Sequence, residues 1–329
     1  MTSIVTGGSG FTGTYLLRAL VARGERPISF DLVPPPADLR QHVDHVTGDV
    51  RSADDLRALP LGADDMVFHM AARQFHGSVP GKNRDAWFQD VNVAGTERVL
   101  EAMERQDARK LVFFSTDMTY GPPDRTPVPP DHPQRPFGPY GESKVRAEAA
   151  IRGRTALSAT IFRPRLIAGA GRIGILAKLF TLIRANLPVP LIGNGGNRYQ
   201  MIAIEDCVTA ALRAADLGCP PGPFNLGSDD PPLIRDLLTE VIRRAGSSSF
   251  LVPTPSRLVK GALTALDRLG LTLLHPEQFR VADLEYVLDT DATKEALGWQ
   301  PNRRDADILF EAYAQFSGTA AASKSPRVF

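Results

Sequence analysis

Short apolar runs and longer amphipathic stretches alternate along the first half of the chain. Ser3–Thr6, Arg26–Asp31, His45–Gly48, Met66–Met70, Lys110–Thr116 and Ser158–Arg163 are rich in β-branched or aromatic residues and predict strands. Between them, Thr12–Arg23, Ala53–Leu59, Asp85–Gln106 and Gly141–Arg152 carry Leu, Val and Ala at helical spacing. Strand–helix alternation of this kind predicts an α/β fold, a doubly wound parallel sheet covered on both faces and joined by right-handed crossovers. The pattern changes after Pro164, where Gly and Pro become dense and the helical spacing less regular. The chain therefore divides into a sheet domain over 1–163 and a smaller C-terminal lobe over 164–199 and 225–318. A return segment at about 200–224, with Met201–Ile204 as its strand, is expected to rejoin the sheet. Leu233–Ala245 and Ser256–Leu269 read as lobe helices, and the small, polar stretch 319–329 reads as a disordered tail.

Composition narrows the classes. Among 329 residues, 38 Lys and Arg stand against 37 Asp and Glu. Without a cationic excess there is no surface for nucleic acid. Cys207 and Cys219 make no disulfide framework, so a reducing compartment is expected. No apolar run reaches the roughly 20 residues that span a bilayer. The opening strand leaves no room for a signal peptide, and the expectation is a soluble cytoplasmic enzyme without a membrane partner.

The first strand runs into Thr6-Gly7-Gly8-Ser9-Gly10-Phe11-Thr12-Gly13 and then a helix. Gly8, Gly10 and Gly13 satisfy G-x-G-x-x-G, and Gly7, Gly10 and Gly13 satisfy G-x-x-G-x-x-G. Missing Cβ atoms permit a tight turn and let a diphosphate reach backbone N–H groups at the positive end of a helix dipole. Gly7, Gly10, Phe11, Thr12 and Gly13 are thus the candidate contacts to a dinucleotide. Asp31 closes the second strand, where a carboxylate can accept both ribose hydroxyls of the adenosine half. No Lys or Arg follows between Leu32 and Ala37 to neutralise a 2′-phosphate, which points to NAD rather than NADP. Asp49, after Gly48, reads either as an adenine contact, with Val50 beside it, or as the N-cap of the next helix. Ala71 and Ala72, after His69-Met70, allow close approach of the cofactor, and His69 itself reads as a packed strand residue.

Of six tyrosines, only Tyr140 has a lysine four residues on, in Tyr140-Gly141-Glu142-Ser143-Lys144. Helical spacing puts both side chains on one face, where the ammonium can lower the phenol's pKa. Tyr140 can then serve as general base toward a substrate hydroxyl. Thr116, at the end of the fifth strand, offers a hydroxyl to orient the same oxygen.

With these residues in place, the chain resembles the extended short-chain dehydrogenase/reductase family, the NAD-dependent epimerase/dehydratase group with its Rossmann-type sheet. The landmarks are Thr6–Gly13, Asp31, Gly48-Asp49-Val50, His69–Ala72, Asn92-Val93-Ala94-Gly95-Thr96, Ser115–Gly121, Tyr140–Lys144 and Arg163-Pro164. Weaker echoes are Ile204-Glu205-Asp206, Phe224-Asn225-Leu226-Gly227 and Leu297-Gly298-Trp299-Gln300-Pro301. The resemblance implies NAD as cofactor, with Asn92 among its contacts and no metal. It implies Thr116 on the reacting oxygen, Tyr140 as base, and Lys144 holding the nicotinamide ribose and tuning the tyrosine. It implies a nucleotide sugar as substrate, epimerised through a keto intermediate. It also implies a homodimer formed by Asp85–Gln106 and Gly141–Arg152 as a four-helix interface.

Three departures bear on the substrate. Met118 stands where nucleotide-sugar dehydratases carry a glutamate base, which leaves Asp117 as the acid near the substrate. Arg163-Pro164-Arg165-Leu166-Ile167 lacks the asparagine that epimerases place on the substrate diphosphate, and Arg198 is the candidate replacement. The leucine-rich stretch Leu251–Leu274 resembles the substrate side of 3β-hydroxysteroid dehydrogenases, so a hydrophobic-alcohol dehydrogenase stays open. A dehydratase and a non-catalytic NAD-binding regulator are the further alternatives.

Overall fold

The computed structural model describes residues 1–75, 79–171, 174 and 176–318, and the tail expected at 319–329 lies outside them. Seven parallel strands form the main sheet. Six are β1 (Ser3–Thr6), β2 (Ile28–Asp31), β3 (Asp44–Thr47), β4 (Met66–His69), β5 (Lys110–Phe114) and β6 (Ser158–Pro164). The seventh is Phe224–Leu226, and the order is Phe224–Leu226, β6, β5, β4, β1, β2, β3. The expected doubly wound fold is present.

Its strands read as near-continuous apolar runs because both faces are covered. Val5, Phe68, Val112, Phe114 and Phe162 point to one face, under Leu16 and Leu20 of helix Phe11–Ala22 and Cys207 and Ala211 of helix Ile204–Asp216. Ile4, Phe30, Val67, Leu111, Phe113 and Ile161 point to the other, under Val99 and Met103 of helix Thr96–Arg105 and Ala147 and Ile151 of helix Pro139–Arg152. The strand order reverses between β1 and β4, and a ligand crevice is expected at that switch point.

Two expectations are corrected. Met201–Ala203 does not rejoin the main sheet; it pairs with Leu166–Ala168 in a separate two-stranded sheet. Met201 and Ala203 join a third core with Phe180, Ile183, Leu237, Val241 and Leu309, and an all-apolar triplet reads the same whichever sheet receives it. The return to the main sheet is made by helix Ile204–Asp216 and strand Phe224–Leu226, so the pairing strand stands at the end of the 200–224 segment and not at its start. The helix expected over Asp85–Gln106 is interrupted: Arg84–Gln89 and Thr96–Arg105 are α-helical, and Asp90–Gly95 is a π-helical turn with Asn92 buried in it. The lobe helices Ile234–Arg244 and Ser256–Arg268 lie where the spacing predicts them.

Candidate active site

The glycine turn after β1 is built as the motif requires. Gly7 has φ +70°, and a Cβ there would sit 2.6 Å from the Ala71 nitrogen. A Cβ on Gly13 would meet the Gly7 carbonyl oxygen at 2.2 Å, so the helix is seated directly on the turn. The N-cap Gly10 supplies no side-chain acceptor, so a bound anion can take that place at the helix N-terminus. Asp31 closes β2 with Oδ2 accepting from Ser9 N at 3.0 Å and Oδ1 from Val33 N at 3.3 Å. These bonds fix the carboxylate at the mouth of a groove lined by Gly7, Gly10, Asp31, Asp49, Val50, Ala71 and Ala72. Asp49 lies in this lining, and its ion pair with Arg51 holds its carboxyl below the usual range. It is not a helix N-cap, because Ser52 accepts from Asp55 N in that role. Phe11, Thr12 and Gly13 line the continuation of the groove with Arg73 and Gln74.

Asn92 is corrected. It lines neither part of the groove; its Oδ1 accepts from Arg73 N at 2.8 Å, and its amide donates to the Arg73 carbonyl and to Ser143 Oγ. The π-turn swings the asparagine inward, so it ties the loop after β4 to the tyrosine helix. His69 is a packed strand residue as expected, bonded to Thr6 and Thr96 hydroxyls and pushed down to about 3 by burial, hence neutral.

The groove opens into a second cleft lined by Gln74, Phe75, Thr116, Asp117, Met118, Tyr140, Arg165, Leu166 and Gln278, so Thr116 and Tyr140 share one cavity. Thr116 lies two residues beyond the end of β5 and caps the turn Asp117–Thr119; its Oγ1 donates to Asp117 Oδ1 at 3.1 Å and accepts from Met118 N at 3.3 Å. Lys144 is buried one helical turn beyond Tyr140, with Nζ donating to the Phe114 carbonyl at 2.8 Å and lying 4.5 Å from the Phe113 ring. Burial pushes its ammonium from 10.5 down to about 7, against the pull of Glu148.

A stability signature follows for the cofactor-free protein. The unfolded chain holds this proton to about 10.5 and the native chain only to about 7, so Lys144 makes stability rise with pH across that window. Lys144→Met is expected to flatten that slope, read as the shift in urea midpoint between about pH 7 and about pH 9.5. A slope identical to that of the unsubstituted protein would refute it.

Asp117 lines the cleft as expected, yet its charge is engaged. Arg165 Nη1 lies 2.5 Å from Asp117 Oδ2, both side chains are at most 6% exposed, and the guanidinium sits 4.3 Å from the Tyr286 ring and 5.3 Å from the Tyr199 ring. Arg198 lies at the surface. Its side chain is 57% exposed, 3.6 Å from Glu285, and outside the cleft lining, because Arg198 N is anchored to the same carboxylate. The leucines Leu258, Leu269, Leu271 and Leu273 are solvent-exposed and likewise outside the lining.

A family model described as the NAD dependent epimerase/dehydratase family matches residues 3–227. The chain belongs to that family. NAD is the cofactor of this family, and the groove from Asp31 to Gly13 fits it. Among relatives, the UDP-glucose 4-epimerase of Streptomyces lividans is 28% identical, covering 94% of each chain. An uncharacterised protein, y4nG, of Sinorhizobium fredii is 28% identical over 97% of this chain and 80% of its own. In fold, the chain is similar to the UDP-glucose 4-epimerase of Thermotoga maritima crystallised with UDP-glucose, with a TM-score of 0.77, 22% identity, and coverage of 97% and 99%. The Bordetella bronchiseptica enzyme WbmG in complex with NAD is similar too, with a TM-score of 0.73, 21% identity, and coverage of 97% and 94%.

Within this NAD-dependent family member, several site residues carried no legible signal. Arg73, Gln74 and Phe75 follow the alanine pair on an irregular loop, and Gln278 comes from the far end of the chain. Arg165 had a partial one, since it follows Arg163 by two residues, but pairing with Asp117 depends on how β6 ends. The weaker family echoes are scaffolding: Asn225 accepts from the Tyr120 hydroxyl at 2.6 Å, and Trp299 donates to the Asp206 carbonyl at 3.1 Å.

Proposed function

We propose that the protein is an NAD-dependent nucleotide-sugar epimerase that works by hydride transfer through a keto intermediate. The observation that carries this reading is the shared cleft of Thr116 and Tyr140, continuous with the dinucleotide groove and backed by buried Lys144. Thr116 would orient the reacting sugar hydroxyl. Tyr140 takes its proton, with the ammonium form of Lys144 favouring the phenolate. NAD, when bound, would supply a reversible hydride acceptor, so that the keto sugar could be reduced again on its other face with no net oxidation. Gly7, Gly10, Phe11, Thr12, Gly13, Asp31, Asp49, Val50, Ala71 and Ala72 hold the cofactor in this reading. The relatives named UDP-glucose 4-epimerases support a UDP-sugar. Met118 cannot abstract a proton and Asp117 is held as an ion pair, which disfavours the dehydratase route. The reading includes a cytoplasmic homodimer through the Arg84–Arg105 and Pro139–Arg152 helices.

One observation favours a second reading. Phe75, Met118, Leu166, Ile167 and Leu176 make much of the cleft wall apolar, which suits the alcohol of a 3β-hydroxysteroid-type substrate. The two separate in one experiment on the NAD-loaded protein. UDP-glucose is expected to raise the melting temperature and to appear as UDP-galactose without net NADH. Stabilisation by a sterol alone, with NADH accumulating, would overturn the epimerase reading.

A further inference from the structure

The helix that carries Tyr140 begins in an unusual way. Its N-cap is Gly138, in extended conformation (φ −162°, ψ 164°), and Pro139, Tyr140 and Gly141 are its first three residues. A Ser, Thr, Asp or Asn at an N-cap accepts hydrogen bonds from the N–H groups of the second and third helical residues. Glycine has no side chain to do so. Both N–H groups are instead bonded by one carboxylate oxygen from elsewhere: Tyr140 N and Gly141 N donate to Glu277 Oε1 at 3.0 and 3.3 Å.

Glu277 lies in the short helix Pro276–Phe279, 137 residues further along the chain, and is only 4% exposed. Gly138 is what admits it. The three atoms nearest to a Cβ at 138 all belong to Glu277, the closest at 2.2 Å. The same segment reaches the tyrosine ring by a second route. The His275 ring stacks on Phe75 at 4.7 Å, and Phe75 meets the Tyr140 ring edge-on at 5.3 Å. Just upstream, Arg84 bonds Asp267 and Thr272, anchoring this stretch to the sheet domain.

We propose that Glu277 is a positioning residue for Tyr140, the N-cap of the tyrosine helix supplied by the C-terminal lobe of the same chain. Burial pushes the Glu277 carboxyl up from 4.5 to about 7, so the cap rests on Oε1 as acceptor, and the fraction that is ionised also complements the positive end of the helix dipole. Because Gln278, the next residue, lines the catalytic cleft, the segment that meets the substrate is the one that holds the base in place. The inference rests on Tyr140 being the base.

Full-length, NAD-loaded protein carrying Glu277→Ala tests it, with Gly138→Ser added to restore a cap from within the helix. Hydrogen exchange at the Tyr140 and Gly141 amides is expected to quicken by about 10-fold in Glu277→Ala, and to return to within about 3-fold in the double variant. The kcat for UDP-glucose is expected to fall about 10-fold with KM changed by less than about 3-fold, and to recover with the serine. Unchanged exchange in Glu277→Ala overturns the proposal, as does a serine that restores protection without restoring kcat. Should Glu277→Ala fail to fold, Glu277→Gln keeps an acceptor oxygen. It is expected to hold both readouts within about 3-fold, and a larger loss overturns the capping role. No turnover of UDP-glucose by the unsubstituted protein would count against the substrate reading, and the exchange measurement would still decide the capping role.

Discussion

Tyr140→Phe is expected to lower turnover of the substrate by roughly 10²- to 10⁴-fold, the span that a positioned general base contributes. The loss should fall on kcat, because the substitution removes only the phenolic oxygen. The ring is 5% exposed and packs against Phe75 at 5.3 Å and Phe88 at 5.5 Å, contacts that phenylalanine preserves. The helix, its cap from Glu277 and the Lys144 bond to the Phe114 carbonyl all involve other atoms. NAD affinity and melting temperature should therefore stay close to those of the unsubstituted protein. Steady-state rates beside cofactor titration by fluorescence test this. A residual kcat within about 10-fold of normal would remove Tyr140 from the catalytic step.

Glu148→Ala is expected to destabilise the protein by about 3–5 kcal/mol, the penalty for leaving a buried charge without its partner. The Glu148 side chain has no solvent exposure and Arg163 only 3%. The carboxylate accepts from Arg163 Nε at 3.0 Å and Nη2 at 2.6 Å, from Gln134 at 2.9 Å, from Arg152 at 2.8 Å and from the Ser115 hydroxyl. Alanine would leave the guanidinium with the Tyr120 hydroxyl and the Pro130 carbonyl, and no charge to balance it.

The effect is pH-dependent, with a definite sign. Burial works to raise the Glu148 carboxyl, and the bonds and charge of Arg163 more than reverse it, leaving it below its usual value of 4.5. A depressed carboxyl contributes stability above the unfolded pKa and loses it as pH falls through the lower folded value. Urea unfolding at neutral pH should thus separate Glu148→Ala widely from the unsubstituted protein, and acid should narrow the gap. A gap that widens in acid would refute the ion-pair account. The variant also reaches the site, since Glu148 lies one turn beyond Lys144 and opposes the loss of its charge.

The sheet, the glycine turn, Asp31 and the Thr116–Tyr140–Lys144 set were legible from residues close together in the chain. Each depends on local order: alternation along a strand, a missing Cβ at a turn, or a four-residue step along one helix face. The same locality explains the misplaced elements. Met201–Ala203 carries no mark of which sheet will take it, and Asn92 lies on a helix whose π-turn is not written in its spacing. Arg198 looked suitable by charge, yet its backbone bond to Glu285 leaves the guanidinium in solvent outside the cleft.

By itself, then, the sequence determined the fold, the glycine turn with Asp31 beyond it, and which residues are proposed for the proton step. The tertiary structure decided what stands around them. Arg165 meets Asp117 across 48 residues, and Glu277 meets Tyr140 across 137. The first contact exists because β5 and β6 pair side by side, Phe114 opposite Phe162, and the second because a distant segment packs against the tyrosine helix. Nothing within one helical turn or one strand encodes where a distant segment will pack, so the walls of the cleft and the cap on its tyrosine helix became visible only in the folded chain.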